Sequence, residues 1–186
     1  SVSKDIEGFQ FEKLLPTRVG HSANLDGCIM RNDVDFFVEA KCREIYSSHK
    51  TVEISNVYEE IYKELQKLYP EFSFKNNGKE DDEHFNCTFK FNGKEIIHFD
   101  IKQLICHFLA ISANILENEN ANKNIKFIYL IFNPNEVIEQ VEKESYKKQI
   151  IDIYGDTKKE ITDYFDMERL FKSIFKIQAK RLGLEG

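Results

Sequence analysis

Asp26, Glu39 and Lys41 are the residues of this 186-residue chain whose types and spacing can do chemistry together. They lie in the run Asn-Leu-Asp-Gly-Cys-Ile-Met-Arg-Asn-Asp-Val-Asp-Phe-Phe-Val-Glu-Ala-Lys, from Asn24 to Lys41. This run predicts two strands joined by Asn32-Asp33, residue types that tolerate positive φ between apolar-rich segments. With those two residues as the loop, Arg31 faces Val34, Ile29 faces Phe36, Asp26 faces Glu39 and Asn24 faces Lys41. Directly opposed side chains share a face, with Cβ atoms about 4.5–5.5 Å apart. Two carboxylates at that separation repel, and a divalent cation between them removes the repulsion. Hard oxygen ligands of this kind suit Mg²⁺ or Mn²⁺. Strand alternation puts the Lys41 ammonium on the same face as Glu39. The opposite face, with Phe36, Val38, Ala40 and Cys42, reads as the packing face. The competing reading is a solvated, charged strand face with no ligand.

Asp26 followed by Phe-Phe-Val-Glu39-Ala-Lys41 resembles the metal site of the PD-(D/E)xK superfamily, the restriction-endonuclease-like nucleases. Their pattern is an Asp on one strand, then Glu or Asp, any residue and Lys after an apolar run on the next. The His-Ser-Ala-Asn-Leu-Asp lead, His21 to Asp26, is similar to bacterial restriction-endonuclease-like proteins. The resemblance covers Thr17 to Phe132. It implies Mg²⁺-dependent hydrolysis of a nucleic-acid phosphodiester, with Mn²⁺ also accepted, DNA as the partner and a homodimer as an admissible assembly. Asp26 and Glu39, with the Ala40 backbone carbonyl, are then the metal ligands. Lys41 orients or deprotonates the attacking water, or stabilises charge on the reacting phosphate. Gln103, at the start of a later helix, matches the residue that helps to place the water, with Lys102 and His107 as alternatives. Glu7 or Glu12 matches an acidic residue on a helix before the hairpin. Arg18 and His21 fall close to the active edge, where an Arg can hold a phosphate and a His can position water; loop polarity explains both as well. Asn24 joins this accessory set through its predicted place opposite Lys41.

Two other functions share these residues. One is a nucleic-acid- or protein-binding module on the same scaffold without turnover. The other is a hydrolase of a different phosphate ester, since a fold does not fix its substrate. The intact trio of Asp26, Glu39 and Lys41 favours catalysis over the binding module.

Composition narrows the class. A hydrophobic share of 41% and a charged share of 31% are those of a globular protein, and 186 residues suit one domain spanning 1–186. The net charge of −6 opposes a protein that holds nucleic acid by bulk electrostatics, although a local basic surface is compatible with it. Cys28, Cys42, Cys87 and Cys106 form no CxxC pair and read as buried thiols of a reducing cytoplasm. A zinc set of His84, Cys87, His98 and Cys106 matches no common ligand spacing. No apolar run reaches transmembrane length and no signal-peptide layout opens the sequence, so the expectation is a cytoplasmic protein without a membrane partner.

The elements that must position the trio follow from periodicity. Ser3 caps a predicted helix from Lys4 to Leu15, stopped by Pro16 and carrying Glu7 and Glu12. After the first hairpin, Arg43 keeps to the functional face and Glu44 leaves it. Ser55 opens a helix through Val57, Tyr58, Ile61, Tyr62, Leu65 and Leu68. Asn76 to Glu83 reads as an exposed loop. Phe85–Phe91 and Glu95–Phe99 form a second hairpin about Asn92-Gly93 that extends the sheet. Asp100 caps the most apolar helix, which runs to Leu116. Ile125–Phe132 reads as a strand buried on both faces and therefore central. A helix from Val137 to Tyr154 ends at Gly155-Asp156, and Asp166 caps the last helix, with Lys172, Lys176 and Lys180 along its outer side. The sum is an α/β fold: a restriction-endonuclease-like core with a mixed central sheet flanked by helices, plus additional C-terminal helices.

Overall fold

The computed structural model describes residues 6–42, 46–79, 81, 83–118, 124–136 and 138–184. The protein is α/β, with two four-stranded sheets, helices packed on them, and two apolar clusters that meet along one central helix.

The first sheet holds the hairpin. Strand β1 (Ile6–Leu15) pairs antiparallel with β2 (Ala23–Arg31), which pairs antiparallel with β3 (Val34–Lys41). The β2–β3 loop is Asn32-Asp33, as its residue types predict, and Ile29 lies opposite Phe36 and Cys28 opposite Phe37. Neither loop residue takes positive φ, so the turn does not use the freedom that suggested it. The segment expected as a first helix is instead β1. Helix spacing of Ile6, Phe9 and Lys13 lost to a non-local partner: from Gly8 to Leu15 this segment pairs with β2, and Phe9 and Phe11 meet edge-on at 4.5 Å. Its expected cap, Ser3, lies outside the described residues, as do Arg43, Glu44 and Val137.

Strand β4 (Val52–Ser55), missed in the sequence, leads through a single 3₁₀ turn into helix α1 (Glu59–Leu68). Strand β5 (Phe72–Lys79) runs through the stretch expected as a loop. Its polar residues are tolerated because it lies at a sheet edge, and a bulge between Asn76 and Gly78 absorbs the turn signal. Strand β6 (His84–Phe91) and strand β7 (Lys94–Glu95) form the Asn92-Gly93 hairpin, with φ of 49° and 77° at those two residues. This hairpin does not extend the first sheet. It belongs to a second one, in the order β4-β6-β5 with β7 on β6. Tyr62, Phe72, Phe74 and Phe89 pack ring to ring between that sheet and α1.

Helix α2 (Ile101–Glu117) crosses from the second sheet to the first. Asp100 caps it, its side chain accepting from the Gln103 N–H at 2.9 Å. Its first half packs into the large aromatic cluster, while Ala110 and Ile111 join Leu25, Cys28 and Phe37 of the hairpin. Strand β8 (Asn124–Ile131) then pairs parallel with β3, in the order β1-β2-β3-β8. It is an edge strand with Leu130 exposed, not the doubly buried central strand its apolar run predicts. Helix α3 (Glu144–Lys159) passes straight through Gly155 and Asp156, where a break was expected, and continues into a π turn at Glu160–Tyr164. Helix α4 (Met167–Arg181), capped by Asp166 as expected, packs on α2. Among the described residues, no helix is long and apolar enough to cross a membrane.

Candidate functional site

The β2–β3 ladder ends at Gly27–Val38, one step short of Asp26 and Glu39. The β1–β2 ladder has a gap at the same level, between Phe11–Gly27 and Lys13–Leu25, where Glu12 takes a φ of 49°. Burial changes phase there: Leu25 and Cys28, three residues apart, both sit in the core under α2. At this point the Asp26 side chain substitutes for the backbone ladder, its Oδ2 accepting from the Ala40 N–H at 2.6 Å. The two strands part, and a carboxylate bridges the gap.

Glu39 and Lys41 lie on the covered side of β3, which corrects the expected division into a functional and a packing face. Phe37, Glu39 and Lys41 are buried, whereas Phe36, Val38 and Ala40 are only half-buried and Cys42 is exposed. The reason is that α2 covers the Phe37 face and places its own apolar side chains there. Glu39 is 2% exposed and its Oε1 pairs with the Lys41 ammonium at 2.6 Å. Burial raises the Glu39 carboxyl above its ordinary range; the hydrogen bond and charge of Lys41 oppose that rise, and the Asp26 charge adds to it. The two acids therefore feel each other, with Asp26 exposed to solvent and Glu39 inside.

His107 is the neighbour that the sequence ranks below Gln103. It is 2% exposed, with Nδ1 3.7 Å from Glu39 Oε2, and neither of those buried atoms has a hydrogen-bond partner. Burial lowers its pKa to about 4, helped by the Lys41 charge, so the imidazole is neutral at physiological pH. The signal available in the sequence was a lone His in an apolar helical run, one turn beyond Gln103. Gln103 itself is half-buried in the first turn of α2, on the same helix face as His107.

The other candidates separate from this cluster. Lys102 donates to the Glu53 carbonyl at 2.7 Å and so serves the second sheet. The Arg18 guanidinium, at a φ of 60°, pairs with Glu117 at 2.7 Å, at the far end of α2. His21 and Asn24 are exposed; the His21 carbonyl accepts from the Thr17 hydroxyl at 2.9 Å, and the Asn24 backbone is a hydrogen-bond neighbour of His107. Glu12 is exposed on β1, while the Glu7 side chain lies outside the described residues. The lysine stripe of α4 is largely neutralised: Lys172 pairs with Glu168 at 2.5 Å and Lys180 with Glu64 at 2.9 Å. A groove of about 730 Å³ between α1 and α4 contains none of the Asp26–Glu39–Lys41 trio.

Among the described residues, no three His, Cys, Asp or Glu side chains converge as a ligand set for a metal ion. What the site offers is two carboxylates. Mg²⁺ is commonly held by one or two carboxylates, with water and substrate phosphates completing its shell, so this donor set fits it. Comparison with family models, with curated proteins and with solved structures finds no match for this chain.

Proposed function

We propose that this chain is a metal-dependent nuclease of the restriction-endonuclease-like kind, hydrolysing phosphodiester bonds of nucleic acid, with DNA as the first substrate to test. The observation that carries this reading is the meeting of Asp26, Glu39 and Lys41 where β2 and β3 part. The mixed sheet, with α2 across the face that bears Glu39, fits the core that the resemblance implies.

Asp26, Glu39 and the Ala40 carbonyl hold Mg²⁺ or Mn²⁺ in this reading. Such an ion supplies polarisation of the scissile phosphate and activation of the attacking water. Glu39 brings a buried carboxylate whose Oε2 has no other partner. Asp26 contributes its exposed carboxylate, already fixed in place through the Ala40 N–H. Lys41 sits as a charged donor at the edge of Glu39, where it orients the water or stabilises the charge that builds up on the phosphoryl oxygens. Gln103 stands in the first turn of α2, on the face that carries His107, and helps to place the water or the substrate backbone.

One observation favours the non-catalytic binding module. The Lys41–Glu39 pair is closed and buried, as a purely structural ion pair would be. A single panel separates the two readings: pure protein with plasmid, linear duplex, single-stranded DNA and RNA, each with Mg²⁺, Mn²⁺ or EDTA. Metal-dependent cleavage that is lost in Asp26→Asn supports the nuclease. Binding without cleavage under every metal replaces it with the binding module.

A further inference from the structure

The first sheet carries apolar side chains on both faces, and α2 covers one of them. In its register, the row through Phe9 crosses the sheet as Ile29, Phe36 and Lys126. The next row runs from Phe11 through Gly27 to Val38 and Ile128. Paired positions share a face, and successive positions alternate between faces. Both rows lie on the side away from α2, because Cys28, Phe37 and Phe127, one position on, pack beneath that helix. Strand β8 shows the division: Ile125, Phe127 and Tyr129 pack against the core clusters, whereas Ile128 and Leu130 belong to neither. Phe11 is 74% exposed, and Phe9 and Leu130 are each 51% exposed. We propose that this outer face of β1-β2-β3-β8 is where a second copy of the chain docks, sheet against sheet.

Three features select a second copy as the occupant. The first is size. Four strands about 4.8 Å apart, two of them of eight residues at about 3.3 Å each, make a face of roughly 500 Å². Two such faces remove on the order of 1,000 Å² from water, the area at which a specific interface begins. The second is shape. A docked helix, about 10 Å across, covers half the width of this sheet, whereas an identical sheet covers all of it, with side chains interdigitating across about 10 Å. The third is charge. Lys126 is the one charged residue in the two rows, so a strongly acidic or basic partner finds no complementary patch. The net charge of −6 opposes an anionic membrane surface. A two-fold axis lying between the sheets brings the same apolar surface from both copies together. The sequence reads the Phe36 and Val38 side as a packing face, and a second copy makes it one. Glu39 and Lys41, buried on the α2 side, are left as they are, so the inference stands apart from the metal-site reading.

Sedimentation of the wild type, Phe11→Asp, Leu130→Asp and Leu68→Asp from about 1 to 200 µM tests this, since interfaces of modest area hold in the micromolar range or tighter. Leu68 lies on α1, away from this face, and is 44% exposed. The expected result is a wild-type dimer that Leu68→Asp retains. Each of the other two variants is expected to weaken it by at least about 100-fold, because a two-fold interface buries every introduced charge twice. A wild type that stays monomeric throughout overturns the inference, and so does one that instead floats with phosphatidylcholine vesicles. A dimer that Phe11→Asp and Leu130→Asp both retain, or that Leu68→Asp weakens equally, places the contact elsewhere and also overturns it. Should the charged variants fail to fold, isotope-filtered spectra of mixed labelled and unlabelled wild type decide. Intermolecular contacts from the Ile29 or Ile128 methyl groups support the inference, and their absence from a dimer overturns it.

Discussion

Lys41 is a charge inside the protein, paired with Glu39 at 2.6 Å, so its removal has two separable effects. As a positioned proton-transfer or charge-stabilising group, it is expected to contribute about 10²–10⁴-fold to cleavage. As half of a buried pair, its loss leaves a desolvated carboxylate, at a cost of about 3–5 kcal/mol. Lys41→Met is therefore expected to lose cleavage by that factor and to melt earlier at neutral pH. The stability deficit should narrow on acidification, because the Glu39 carboxyl, already raised by burial, takes up a proton and no longer needs the ammonium. A Lys41→Met that cuts as fast as the wild type rules out the catalytic assignment, even with the fold correct.

His107 gives a pH signature of the opposite sign. Its folded pKa is about 4 against an ordinary 6.5, so on acidification the unfolded chain takes up the proton first. The stability contributed by the neutral imidazole is complete above 6.5 and is lost as pH falls from there toward about 4, to a limit of roughly 3 kcal/mol. Glu39 works against this: its raised carboxyl binds a proton more tightly when folded, so its contribution grows as pH falls through its folded value. The difference between the wild type and His107→Asn isolates the imidazole. Urea titrations across this window should show the wild type losing more stability than the variant, and parallel curves would contradict the assigned neutrality.

At the scale of elements, the hairpin and the capped helices were legible because their signals are local. Asn32-Asp33 and Asn92-Gly93 mark turns, and Asp100 and Asp166 mark helix starts, wherever the rest of the chain goes. β1 and β8 were misread because their fate depends on partners distant in sequence. The free edge of β2 turned an amphipathic stretch into a strand, and the end of the sheet gave an apolar strand only one neighbour. The site was legible to the same extent. Asp26, Glu39 and Lys41 came from one hairpin, while the closeness of His107 depended on α2 crossing from one sheet to the other. Lys102, one residue from Gln103, turned to the second sheet for the same reason.

Glu160 staples the segment between β7 and α2. Its carboxylate, 5% exposed, accepts from the backbone N–H groups of Ile97, His98 and Phe99 at 2.8–2.9 Å, just before α2 begins. Those amides leave the sheet after β7 and have this carboxylate as their acceptor, which accounts for the early end of the second hairpin. Glu160→Gln replaces one acceptor oxygen with a donor that faces donors. Urea denaturation should place the loss at about 2–3 kcal/mol, and a change under half a kilocalorie would show that the amides find other partners.

For the whole molecule, charge is the deciding quantity. With a net charge of −6 and Lys172 and Lys180 already paired to glutamates, the proposed nuclease is not expected to hold nucleic acid on a basic face of α4. The slope of log affinity against log salt follows the number of phosphates neutralised, and here it is expected to be shallower than about −2. The double variant Lys172→Ala, Lys176→Ala should bind and cut as the wild type does. A steep slope that this variant flattens would move the nucleic-acid path to α4 and away from the site.

The C-terminal helices, which the family resemblance leaves unexplained, hold both approaches to the candidate site. Gln178 of α4 donates to the Thr17 carbonyl at 2.8 Å, on the way into the hairpin, and Glu160 fixes the segment that leads into α2. The partners are separated by 161 and 61–63 positions along the chain. On a ribosome, Asp26, Glu39 and Lys41 emerge before α4, yet the clamp on Thr17 arrives only when the residues around Gln178 have left the exit tunnel. A nascent chain stalled before α4 therefore carries the whole motif but lacks the clamp that α4 supplies, and assembly of the site waits for α4.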